Sequence, residues 1–97
     1  MNQIYTSLDA KVEASQWDLL KQKYAEVKQD SFPSGLLSSH LVQDTAEPKQ
    51  WRIVTIWNSR AELDVYRKSV ETPAWILVFR AVQTEPRLFI GEIVVSK

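Results

Sequence analysis

Chemistry in this chain must come from few side chains, since it holds one histidine and no cysteine. Histidine is the side chain suited to general-base work near neutrality, which makes His40 a candidate, and Ser38 two residues earlier falls on the same side of an extended segment. No carboxylate stands at a telling position beside them, and a surface or interface histidine explains the pair equally well. A zinc site takes three or four ligands, so a lone His predicts no metal. Arg80 interrupts the helical stretch "AWILVFRAVQ", which is apolar nearly all round; it must emerge at an edge, pair with a carboxylate, or point into a polar pocket. The phenols of Tyr5, Tyr24 and Tyr66 can each place a hydroxyl in a cavity. Trp51 and Trp57 share a strand face but stand about 20 Å apart, so no small ligand fits between them. Trp57 abuts the following helix, whereas Trp51, after a polar turn, is expected at a rim or a subunit contact.

The elements that position these residues follow from periodicity. "IYTSLDAKV" reads as a strand over residues 3–11. Ser15 and Asp18 resemble a capping box, and Trp17, Leu20, Tyr24 and Val27 recur at helical spacing, predicting a helix to about Gln29. "DSFPSG" breaks it. "LLSSHLVQD" and "WRIVTIW" follow as strands around the turn "TAEPKQ". Ser59 and Glu62 form a second capping box, opening a helix with Leu63, Tyr66 and Val70. Thr72 as cap and Pro73 in the first turn restart the chain as a short helix. Its Trp75, Val78, Phe79 and Val82 lie on one face. "RLFIGEIVVS" is the last strand.

This β-α-β-β-α-β string, its second helical region split in two, is the ferredoxin-like pattern: a four-stranded antiparallel sheet with helices on one face. At 97 residues the chain fits a single domain over 1–97, burying about 60–65% of its unfolded surface. Both faces of the strands are apolar. The last strand offers Leu88, Ile90 and Val94 on one side and Phe89, Ile93 and Val95 on the other; the third sets Trp51, Ile53 and Trp57 against Val54 and Ile56. Helices cover one face only, so an identical chain is expected to cover the other, making a homodimer.

Charge is balanced, 12 basic residues against 12 acidic, with no basic stripe for nucleic acid and no polybasic membrane anchor. The amino terminus lacks the basic and apolar regions of a signal peptide, and the longest apolar run, "AWILVF", is far below a membrane span of about 20 residues. A cytoplasmic protein is the expectation. Gly35 and Gly91 are the only glycines, so no phosphate-cradling loop or dinucleotide fingerprint exists.

"FPSGLLSSHLVQD" and "WRIVTIWNSRAELDVYRKS" resemble the antibiotic-biosynthesis monooxygenase-like domains of the dimeric α+β barrel superfamily. The shared features are a Pro/Gly turn after the first helix, a strand ending in an acidic residue, and a Trp-x-Ser-x-x-Glu/Ala junction between third strand and second helix. The resemblance implies two sheets packed face to face and a pocket in each subunit between sheet and helices. It also implies a cofactor-independent oxygenase acting on an aromatic phenol. In such enzymes Asn, Trp, Tyr and Arg surround the substrate, which nominates Asn58, Trp57, Tyr66 and Arg80 as catalytic. Tyr5, His40, Trp75 and Phe79 are the further candidates for substrate binding. The family's haem-degrading branch uses an Asn, a Trp and a His where this chain has no first-strand Asn, Tyr66 and about Ile76, so no cofactor is expected. The alternative is a non-catalytic dimeric domain that binds a small apolar molecule or serves as an accessory.

Overall fold

The computed structural model describes residues 2–27 and 33–97, and over these the expected element order is present. Strand β1 (Ile4–Lys11) leads through a 3-10 turn at Ala14–Gln16 into helix α1 (Trp17–Ala25). The expected helix end near Gln29 and the start of the "DSFPSG" turn lie outside the described residues. Strands β2 (Leu36–Gln43) and β3 (Gln50–Trp57) come next, followed by helices α2 (Arg60–Ser69) and α3 (Ala74–Ala81), and strand β4 (Arg87–Glu92). The four strands pair antiparallel in the order β2-β3-β1-β4, with a bulge at Leu37. This is the ferredoxin-like α+β fold.

Three local expectations need correction. Ser15 does not cap the first helix: it sits inside the 3-10 turn, and neither Glu13 nor Gln16 offers a capping side chain. The indole N–H of Trp17 donates instead to the Val12 carbonyl at 2.8 Å and fastens the helix start to the strand end. Pro73, not Thr72, is the N-cap residue of α3. The last strand closes at Glu92, so Val94 and Val95 lie beyond it and are exposed, although the Ile93 amide still donates to the Gln3 carbonyl. At α2 the expected N-cap forms, Ser59 Oγ accepting from the Glu62 amide at 3.2 Å, but the reciprocal half of the capping box does not: the Glu62 carboxylate accepts from the Ser59 hydroxyl and not from its backbone amide.

Register assigns each strand residue to a face. Ile4, Thr6, Leu8 and Ala10 of β1 stand opposite Trp57, Thr55, Ile53 and Trp51 of β3. This row faces the helices and joins Leu20, Leu63, Trp75, Val78, Phe79 and Val82 in one core. Trp51 therefore belongs to the core, not to a rim or subunit contact: it is buried, with Trp17 edge-on at 5.9 Å. The opposite face carries Tyr5, Ser38, His40, Val42, Val54, Ile56 and Phe89, and no helix of the described residues packs on it. At one end of that face Arg52 bridges Asp9 and Asp44. The amides of Glu47 and Ala46, with Arg52 beside them, hold the Asp44 carboxyl below its usual range.

Gly35 packs the turn before β2 against the start of α2. Its φ of +91° is one that only glycine adopts freely, and its carbonyl accepts the Asn58 amide at 2.8 Å. A β-carbon here would lie 2.6 Å from both Cβ and Cδ of Glu62, inside the first turn of α2. Gly35→Ala is expected to cost about 1–3 kcal/mol through backbone strain and displacement of Glu62, read from the midpoint of urea unfolding. An unshifted midpoint would contradict this packing.

Candidate functional site

Between the helix-facing side of the sheet and helices α2 and α3 lies a pocket of about 220 Å³. Each wall has its own cause. Pairing of the even residues of β1 with the odd residues of β3 projects Thr6, Leu8, Ile53, Thr55 and Trp57 into it. From α2, Leu63 and Arg67 come one turn apart, with Tyr66 beside them. Pro73, Trp75 and Ile76 supply the start of α3, and Leu88 and Ile90 of β4 close the far side.

Three aromatic rings form a continuous wall. Trp57 meets Tyr66 at 5.5 Å between centroids, and Tyr66 meets Trp75 edge-on at 5.9 Å. The Tyr66 oxygen accepts the amide of Ala74 at 3.1 Å, which ties α2 to the first turn of α3 and fixes the ring. At the base, the Trp57 indole N–H donates to Thr55 Oγ1 at 2.8 Å, and that hydroxyl hydrogen-bonds to Thr6 Oγ1. At the exposed mouth stand Arg67 and Glu71. Among the described residues Arg67 forms no ion pair. An apolar, aromatic-walled cavity with a hydroxyl pair inside and a cation at its opening suits a flat ring carrying oxygen or negative charge.

The eight residues nominated from sequence do not converge. Trp57, Tyr66 and Trp75 line the pocket together. Phe79, one helical turn beyond Trp75, is fully buried in the core and does not reach the cavity surface. Asn58 is exposed outside the pocket; its side-chain amide donates to Glu62 Oε1 at 2.8 Å and serves the start of α2. Arg80 lies outside as well. Its guanidinium makes a forked pair with Glu85, the closest contact 2.7 Å, which raises the Arg80 pKa and lowers that of Glu85. Tyr5 and His40 sit on the other face of the sheet, Tyr5 edge-on to Phe89 at 6.1 Å and His40 exposed opposite Val54.

Thr6, Thr55, Arg67 and Glu71 were not anticipated. A signal existed for two of them. Thr55 falls between Ile53 and Trp57 on the same strand face, and Arg67 follows Leu63 by four on the inward stripe of α2. No group of three or more His, Cys, Asp or Glu that could hold a metal ion occurs among the described residues. No helix among them is long and apolar enough to cross a membrane.

Comparison with solved structures returns this fold repeatedly. A candidate antibiotic biosynthesis monooxygenase from Bordetella bronchiseptica superposes with a TM-score of 0.77 at 14% identity, over 98% of this chain and 100% of that one. A second, from Deinococcus radiodurans, gives 0.74 at 12% identity, over 97% and 95%. A point variant of SnoaB, a cofactor-independent oxygenase from Streptomyces nogalater, gives 0.63 at 10% identity, over 100% and 96%. At these identities the likeness establishes the fold alone. A search of curated protein sequences found no significant match. The model of the family described as antibiotic biosynthesis monooxygenase matches residues 8–76, which is most of the chain and runs from the second half of β1 into the first turn of α3. By that match the chain belongs to the antibiotic biosynthesis monooxygenase family.

Proposed function

We propose that this protein is a cofactor-independent monooxygenase that acts, as a homodimer, on a small aromatic metabolite held between the sheet and helices α2 and α3. The observation carrying the reading is the wall formed by Trp57, Tyr66 and Trp75 with an unpaired Arg67 at its mouth. Family membership and the likeness to a cofactor-independent oxygenase support it.

The chemistry asks little of the protein beyond binding and charge stabilisation. A substrate with a phenol conjugated to a ring CH₂ loses its phenolic proton, for which Glu71 at the mouth is the available carboxylate. Arg67 stabilises the phenolate, and the aromatic wall orients the ring. The electron-rich carbon then reacts with O₂. One oxygen atom becomes a carbonyl at the former CH₂, and the other leaves as water with both hydrogens. The substrate supplies all four electrons, so no external reductant is consumed.

A non-catalytic binding role is the second reading, favoured by one feature: among the described residues no histidine lines the pocket, and the one carboxylate there is exposed. Purified protein presented with anthrone-like phenols should consume one O₂ per quinone formed, above the rate in buffer. Absence of uptake across the whole panel would leave only the binding reading.

A further inference from the structure

We propose that the paired hydroxyls of Thr6 and Thr55 are the polar anchor of this pocket. Its ligand is then a flat molecule of one or two rings whose buried end carries an oxygen that accepts a hydrogen bond. The inference deepens the reading above and relies on it for the location of the site.

The argument is a count of hydrogens. Thr55 Oγ1 accepts the Trp57 indole N–H, and the two hydroxyls bond to each other. Two hydroxyl hydrogens are present, and the bond between the oxygens uses one, whichever residue donates it. One hydrogen is left over. Neither oxygen has another partner among the described residues. Both threonines are more than nine-tenths buried, 6% and 3% exposed, and both line the pocket. A buried donor without an acceptor is unfavourable, and the neighbouring Leu8 and Ile53 side chains offer none. The indole N–H feeding Thr55 polarises the chain of bonds and strengthens the remaining donor. A ligand oxygen seated beside the pair completes the network.

Size sets the rest of the class. An apolar cavity of about 150 Å³ holds one benzene. About 220 Å³ therefore takes one ring or two fused rings. A larger polycycle would have to project through the mouth.

Binding without turnover tests this. The 97-residue chain is titrated with naphthol and with naphthalene in oxygen-free, mildly acidic buffer, where the naphthol is neutral, following tryptophan fluorescence. The wild type is expected to bind naphthol about tenfold or more tightly than naphthalene. The double variant Thr6→Val/Thr55→Val should lose about tenfold in that ratio while binding naphthalene as well as before, which shows its pocket intact. Each single valine variant should keep most of the preference, because the surviving hydroxyl's hydrogen is then released to the ligand. A wild type that does not discriminate, or a double variant that keeps the ratio, overturns the proposal. Should the double variant not fold, the wild-type comparison decides alone. The outcome is separate from catalysis: preference without oxygen uptake removes the monooxygenase reading and leaves the anchor, and uptake without preference does the reverse.

Discussion

Trp57→Ala is expected to cost about 3–5 kcal/mol of folding stability, among the largest losses available to a single core substitution. Trp57 is 1% exposed, ends β3, and packs between Ile4 across the sheet and Tyr66 on α2. Truncation removes the indole from the core and takes away the donor that Thr55 Oγ1 accepts. The adjoining pocket makes the loss harder to relieve, because the vacated volume joins an existing cavity and neighbours cannot close over both. Small domains are stable by about 5–15 kcal/mol in total, so the variant should unfold at markedly lower urea concentration with little change in slope. Trp57→Phe keeps most of the apolar volume and loses the N–H, and should cost less than half as much. A loss under about 1 kcal/mol for Trp57→Ala would mean that this wall is not packed as described.

Much of this arrangement was legible in the sequence where one physical signal acted alone. The Ser59 N-cap, the alternation in β3 and the stripe of Trp75, Val78 and Phe79 each follow from local spacing, and each is present. Ser15 had the same local signature and did not cap. The tie from the Trp17 indole to the Val12 carbonyl, across the 3-10 turn at Ala14–Gln16, has no counterpart in the spacing that marks a capping box. Faces were harder still. Both sides of the strands are apolar, so alternation separates Tyr5 from Thr6 without saying which meets the helices. Register settles that by pairing Thr6 with Thr55 and Tyr5 with Ile56. Tyr5 and His40 went to the opposite face for this reason. Arg80 matches the arginine that the family resemblance asks for in type alone, and its apolar helix equally allows an ion pair. Its partner, Glu85, lies five residues on, past the helix end, where helical spacing gives no guidance. Arg67 escaped notice in a polar stretch, although its spacing from Leu63 already placed it inward.

The same two-sided strands lead to the last expectation, that Ile56→Asp converts a dimer into monomers. Ile56 lies on the inner strand β3, on the sheet face away from the helices, paired with Tyr5 on β1 and Ser38 on β2, with Val54 two residues before it on the same face. The face carries Val54 and Ile56 on the inner strand β3 and Phe89, 56% exposed, on the edge strand β4, with an ionic end where Arg52 holds Asp9 and Asp44. Apolar side chains beside a charged margin are what the proposed homodimer needs of this face. A two-fold axis would bring the same patch of both copies together, so one substitution places two carboxylates in the contact. Burying each unpaired costs several kcal/mol, enough to weaken association by about a thousandfold or more. Light scattering at micromolar concentration should give a dimer for the wild type and a monomer for the variant. Leu77→Asp, on the exposed outer side of α3, should remain dimeric and shows that added charge alone is not the cause. A wild-type chain that is already monomeric at that concentration would leave this apolar face open to water, and with it would fall the homodimer on which the proposed enzyme is built.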